Sequence, residues 1–192
     1  MTILSTYTTS LPTNVLLGSA VLYIDGATPW GVSQGEITMN LPHEYENLPF
    51  DGKIIPIVGL DRRLGGVPSF EGTFIEMTAA KALELEPGGA TATASSVTTI
   101  TPALYAEFLV AANYKENVRV ALRMGGSSAG IVVVEFDWGL LLMESMTGAS
   151  AGNGSYKVRF EARQATNAAS LGVAPYTIKL ATDIATIVTP DA

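Results

Sequence analysis

Two short stretches of this 192-residue chain carry residue types found in reactive sites. Gly126-Ser-Ser128-Ala-Gly130 has the G-x-S-x-G spacing that presents a nucleophilic serine on a tight turn. That chemistry needs a strand before the turn, a helix after it, and then an acid and a histidine downstream. Here a β-like run, Ile131 to Phe136, follows the turn, and the single histidine, His43, lies upstream. The stretch therefore reads as a flexible hairpin turn. It also lacks the Gly-Lys-Ser/Thr ending of a phosphate loop. His43-Glu44-Tyr45-Glu46 sets an imidazole beside two carboxylates, but one histidine with two loop acids is a combination that surfaces contain by chance. Asn153-Gly-Ser155 is a glycosylation sequon that, without a secretion signal, reads as an Asn-Gly turn. The absence of cysteine excludes disulfides, thiol catalysis and thiolate metal sites. One histidine excludes any site built on two imidazoles. No pair of acids is tied to an acid–base motif. The sequence points to no catalytic residue, no metal and no cofactor, and it reads as a non-enzyme.

The arrangement of charge is more informative. Eleven basic and 18 acidic residues make up 15% of the chain, against roughly 25% in an ordinary soluble domain. Apolar residues make up 47%, so composition does not favour disorder. A chain this apolar either enters a membrane or hides surface in an assembly. No window approaches about 18 uncharged apolar residues, since Ile131 to Met143 is interrupted by Glu135 and Asp137. Met1 to Ser10 has no basic residue and no hydrophobic region, so it does not read as a secretory signal. Assembly is the remaining reading. The net charge of −7 argues against a general grip on nucleic acid, which needs a basic footprint.

Residues 1–96 hold 10 acids and 4 bases, and residues 97–192 hold 8 acids and 7 bases. The bases of the second half fall on strand faces: Arg119 and Arg123 on one, Lys157, Arg159 and Arg163 on another. The plain reading is a solvated face with local ion pairs, each worth about 0–1 kcal/mol. The sharper reading is that these faces meet Glu44, Glu46 and Asp51 of a neighbouring copy, because complementary patches set register and partner choice.

The elements that hold these residues are mostly strands. Met1 to Thr13 is Thr/Ser-rich and aperiodic, an extended arm ahead of a single domain over residues 14–192. Ala20 to Ile24 is a short β-run closed by the turn dipeptide Asp25-Gly26. Glu36 to Leu41 alternates, with Ile37, Met39 and Leu41 on one face. Pro42 to Gly52, with two prolines and three acids, reads as a long exposed loop or hairpin tip. Lys53 to Val58 and Thr73 to Met77 are further strand candidates. Thr78 to Glu86 is rich in helix formers and stops at Pro87-Gly88-Gly89. Ala90 to Ser96 is small and polar and reads as loop. Pro102 to Asn113 has Leu104, Tyr105, Phe108, Leu109 and Ala112 at helical spacing behind a Thr101 cap, and is the best helix candidate. Asn117 to Met124, Ser155 to Arg163 and Tyr176 to Leu180 alternate with period two, the mark of strands with one buried face. Repeated strands, little helix and many turn glycines predict a mainly β fold, a β-sandwich or barrel with one or two flanking α-helices.

In order and spacing, the chain resembles the tail tube (major tail) proteins of long-tailed bacteriophages. Leu16-Leu-Gly-Ser-Ala-Val-Leu-Tyr-Ile-Asp-Gly26 followed by Trp30-Gly31 is similar to their first hairpin. An alternating strand and an acidic loop come next, then Phe50-Asp-Gly52 and Ile57-Val-Gly-Leu-Asp-Arg62. Asn113-Tyr-Lys-Glu-Asn-Val-Arg119, Val134-Glu-Phe136, Phe160-Glu-Ala-Arg163 and Ala174-Pro-Tyr176 continue the likeness, which spans roughly Asn14 to Leu180. The resemblance implies a virion protein assembled in the bacterial cytoplasm, whose copies close into hexameric rings that stack into a hollow tube for genome passage. It implies a tape-measure protein and tail terminator or tip proteins as partners, no membrane, and DNA that passes without specific binding. It also implies kinship with the inner tubes of contractile tails and of type VI secretion.

Physical reasoning agrees with that picture. Low charge density suits large obligate interfaces, and exposed sheet edges become a means of assembly. A head-to-tail contact closes into a ring when its rotation permits. Six copies at −7 would carry −42 per ring, and an acidic bore repels phosphate. Screening limits that field to about 10 Å at about 0.1 M salt, so only lining residues count. Glu36, on the polar face of its strand, is the candidate for the bore. The arm and the loop over residues 42–52 are the candidate connectors between copies. The rival reading is a monomeric β-sandwich binding or decoration module of a virion or cell surface, which would present Trp30, Trp138 or Tyr45 to a ligand.

Overall fold

The computed structural model describes residues 15–26, 28–47, 58, 61–103, 108–125, 130–148, 154–164 and 173–181. Among them the fold is mainly β, with antiparallel pairing throughout and one α-helix. The main sheet contains β1 (Val15–Tyr23), β2 (Pro29–Val32), β3 (Ile37–Asn40), β6 (Ser69–Phe74), β9 (Lys115–Gly125), β10 (Gly130–Thr147), β11 (Ser155–Arg163) and β12 (Tyr176–Ala181). Two separate hairpins pair β4 (Glu44–Asn47) with β5 (Asp61–Leu64), and β7 (Ala90–Ala94) with β8 (Val97–Thr101). The helix α1 spans Ala79–Glu84.

The main sheet runs β2-β1-β9-β10-β11-β6-β3, with β12 on β10. Its two outermost strands, β2 and β3, are consecutive in the chain, so the sheet must coil until its ends meet. The short link between them makes the join. The Ser33 N–H donates to Ala20 O at 2.9 Å, and the Gln34 N–H donates to Thr73 O at 2.7 Å. Ser33 is buried, and its Oγ accepts from the Ala20 N–H at 3.0 Å. The coil encloses one principal core.

That core follows the period-two pattern. On β11, Tyr156, Val158, Phe160 and Ala162 are all buried, and on β9 so are Val118, Val120 and Leu122. Phe70, Phe136 and Phe160 form its centre, with ring centroids 5.0–5.9 Å apart. Trp30, Phe74 and Tyr156 extend the aromatic row. Such pairs add about 0.5–1.5 kcal/mol each beyond their buried area. The 18-residue β10 cannot keep one phase around so tight a coil. Its core positions shift from Val134 and Phe136 to Leu141 and Met143 across Gly139. A Cβ at Gly139 would lie 2.2 Å from the Phe160 ring, so only glycine admits that ring here.

The helix seals one end of the core. Thr78 caps it by accepting from the Lys81 N–H at 3.2 Å, and Leu85 at its end is buried. The Met143 N–H donates to Leu85 O, which ties the helix to β10.

Several expectations are corrected. Ala90 to Ser96 is not loop: residues 90–94 form β7, and Ser95 and Ser96 make a two-residue turn with φ of 48° and 66°. Positive φ at both positions is the type I′ geometry that joins hairpin strands, although Asn-Gly is its usual sequence. The helix expected over Pro102–Asn113 is not formed by its described residues. Pro102, Ala103 and residues 108–110 are irregular, and Ala111–Asn113 is a single 3-10 turn. Phe108, one of the helically spaced apolar residues, is 98% exposed. Within the loop or hairpin tip expected over residues 42–52, Glu44–Asn47 is a strand. The arm over residues 1–13, Asp51, and Lys53 to Ile57 lie outside the described residues, and Val58 is an exposed turn residue.

Candidate functional site

The charged faces singled out in the sequence occupy two strands of the main sheet. On β11, alternation places Lys157, Arg159, Glu161 and Arg163 on the side opposite the core. The register brings Glu71 of β6 and Glu144 of β10 alongside. Lys157 Nζ contacts Glu71 at 2.5 Å and Glu144 at 2.8 Å. Arg159 reaches Glu144 at 3.6 Å and Glu161 at 2.7 Å, and Arg163 donates to Glu161 at 2.8 Å. The hydrogen bond from Lys157 lowers the Glu71 carboxyl below its usual range. The one from Arg163 does the same for Glu161. Glu144 and Glu71 in turn hold the Lys157 ammonium above its ordinary value. Three acids thus offset three bases within one chain. Arg159 and Arg163, also named as contacts to a neighbouring copy, meet Glu144 and Glu161 within the chain, the local ion pairs of the plain reading.

Arg119 departs further from expectation. It is buried at 2% exposure, not on a contact face. Its Nε donates to Glu135 Oε1 at 2.8 Å, and Lys179 contacts the other oxygen of Glu135 at 2.5 Å. Burial raises the Glu135 carboxyl, but hydrogen bonds from Lys179 and Arg119 outweigh it and leave the group below its usual range. Two residues on, burial and the Glu135 charge push Asp137 the other way, upward. Tyr23, Ala121 and Val133 are buried in a smaller cluster on this face, so β9 and β10 are covered on both sides. Sequence reasoning missed Glu71, Glu135, Glu144 and Lys179. The alternation of Glu135 and Asp137 inside an apolar run was their only signal.

The acidic segment lies on the β4–β5 hairpin. Glu46 pairs with Arg62 at 2.7 Å and Asn47 donates to Asp61 at 2.7 Å, whereas Glu44 and Tyr45 are exposed. Arg123 is exposed on β9, and Glu36 is exposed immediately before β3. No group of three or more His, Cys, Asp or Glu is placed to hold a metal among the described residues, His43 to Glu46 included. Ser128 lies outside the described residues; β9 ends at Gly125 and a strand, β10, begins at Gly130 where the nucleophile elbow requires a helix.

Two surfaces stand out for what they leave uncovered. The β7–β8 hairpin is exposed at every position except Ile100, which is half-buried. Among the described residues strand β12 pairs with β10 alone, and its Ile178 and Leu180 are 52% and 69% exposed. These two side chains lie on the core side of the sheet, opposite Val134 and Val132, yet beyond the reach of the core. No helix among the described residues is long and apolar enough to cross a membrane. Neither the protein-family models nor the curated proteins with which the sequence was compared match this chain.

Proposed function

We propose that this protein is a structural virion subunit that self-assembles into stacked hexameric rings, the hollow tail tube of a long-tailed bacteriophage, with a β-barrel of that type as its body. The observation that carries the reading is the pairing of a self-joined sheet with surfaces it leaves unsatisfied. An isolated two-stranded hairpin is marginal in water, and a long apolar edge invites another chain. The β4–β5 hairpin, the β7–β8 hairpin and the β12 edge all fit contacts with further copies. Within this reading the arm and residues 42–52 bridge rings, and Glu36 faces the bore. DNA slides past an acidic wall without specific contact, and tape-measure, terminator and tip proteins complete the tail in the virion.

Electron microscopy of the purified protein, concentrated or seeded, tests this directly. Hollow rings or tubes are the expected outcome, and deletion of residues 42–52 should abolish them while circular dichroism still reports a β fold. Compact monomers by light scattering under every condition would sink the reading. Tight retention of DNA in a low-salt gel shift would also count against it. The rival reading, a monomeric β-sandwich binding module, draws on one observation: Trp30 and Trp138 line the same cleft.

A further inference from the structure

Both tryptophans of the chain line that one cleft, together with Tyr114. It lies where the β1–β2 turn, the helix and the start of β9 converge, an open cleft of about 530 Å3. Trp30 forms its inner wall. That indole is 9% exposed, and its Nε1–H donates to Glu84 at 2.5 Å. Trp138 stands across from Glu116 in the β9–β10 register, so an indole and a carboxylate start from facing positions. Such cross-strand neighbours have Cβ atoms about 4.5–5.5 Å apart.

Asp25, Glu84 and Glu116 line the cleft against a single base, Lys115, which leaves it two negative charges in excess. Lys115 lies 3.7 Å from Glu84, so the inner carboxylate is already engaged. Asp25 and Glu116 are the exposed pair. An anion would be repelled here, and a neutral sugar would gain nothing from the charge. The fold itself shows the favoured pairing: the Lys81 ammonium sits 5.3 Å from the Trp30 ring centroid. Aromatic faces attract cations through their quadrupole, and desolvation strengthens the attraction.

We propose that the cleft between Trp30 and Trp138 binds an organic cation, a quaternary ammonium or the guanidinium of an arginine side chain. Trp138 and Tyr114 take the delocalised or apolar surface of the cation, since Trp30 is nearly buried and already carries Lys81 at its ring, and Glu116 with Asp25 offsets its charge. The site belongs to a single chain and rests on neither assembly reading. Failure to polymerise leaves it standing, and its own failure leaves the tube untouched.

Tryptophan emission is the natural probe, because both indoles report from the cleft. Titration with choline and, separately, with Nα-acetyl-arginine amide should give a saturable change for at least one of them. A choline response alone assigns a quaternary ammonium, and an arginine response alone assigns a side chain of a partner. The neutral isostere 3,3-dimethyl-1-butanol should neither bind comparably nor compete. Trp138→Phe is expected to weaken binding about threefold, a face-for-face loss of cation–π strength. Glu116→Gln, at an exposed position that leaves the fold intact, should weaken it about three- to fivefold at low salt and hardly at all in 1 M salt. The proposal is overturned if neither cation saturates, if the isostere matches the cations, or if both variants bind like the parent.

Discussion

The wall formed by β6, β11 and β10 and the hairpin formed by β7 and β8 are built from the same antiparallel ladder, yet they differ in what completes them. In the wall, one face carries Phe70, Phe74, Phe160 and Leu141 into the core, and the other neutralises its own charges through Glu71, Glu144 and Glu161. The hairpin has neither resource. Its alanines and threonines are exposed on both faces, and no charged residue lies between Glu86 and Glu107. A sheet that satisfies itself specifies a fold. One that does not gains from a partner. The difference separates the residues that hold the molecule together from those that leave their surface exposed.

The largest effect should come from the centre of the wall. Phe160→Ala removes a ring that packs on Phe70 and Phe136, and should cost about 3–5 kcal/mol in chemical denaturation. A cost below 1 kcal/mol would mean that the wall is not the organising centre. Glu135→Gln comes next. It removes the carboxylate paired with buried Arg119 and should cost about 3 kcal/mol at pH 7. Because the Glu135 carboxyl is lowered by folding, its contribution is fully present above the usual carboxylate value and is lost as pH falls through the folded value. The gap between parent and variant should therefore close on acidification.

Asp137 has the opposite sign. Its carboxyl is raised, so its charge weighs against the fold at neutral pH, and Asp137→Asn should raise the thermal midpoint at pH 7 but not in acid. Gly139→Ala drives a methyl against Phe160 and the Glu161 carbonyl, and should cost about 1–3 kcal/mol with the midpoint shifted and the denaturant slope retained. The smallest effect belongs to the hairpin. Replacing Ser95-Ser96 by Asn-Gly suits the two positive φ angles and should stabilise the turn, yet change global stability by under about 0.5 kcal/mol. A large shift would show that the hairpin is coupled to the core after all.

The strands that could be read from the sequence are those where hydrophobic alternation coincides with burial. Ser155 to Arg163 was legible to the residue, and the helix formers between Thr78 and Glu86 announced the helix over Ala79–Glu84. Elsewhere the pattern misled. Leu104 to Ala112 has helical spacing without a helix in its described residues, because spacing states which side chains could share a face and not whether a surface exists to receive them. The β7–β8 hairpin was hidden by its composition, since alanine and threonine carry little contrast and a Ser-Ser turn resembles loop.

Composition and period two were enough for the mainly β class, because a strand's two faces are written into consecutive residues. They were not enough for the fate of the charges. Arg119, Arg123, Arg159 and Arg163 look equivalent along the chain, yet one is buried against Glu135, one is exposed, and two are tied into a ladder with Glu144 and Glu161. Glu161 is a neighbour on the same strand, but Glu135 and Glu144 lie on another strand and come close only through register. The same holds for Trp30 and Trp138, which meet at one cleft only once the sheet has coiled. Local order is encoded residue by residue, whereas charge pairing and clefts arise from non-local closure, and that information exists only in the folded chain.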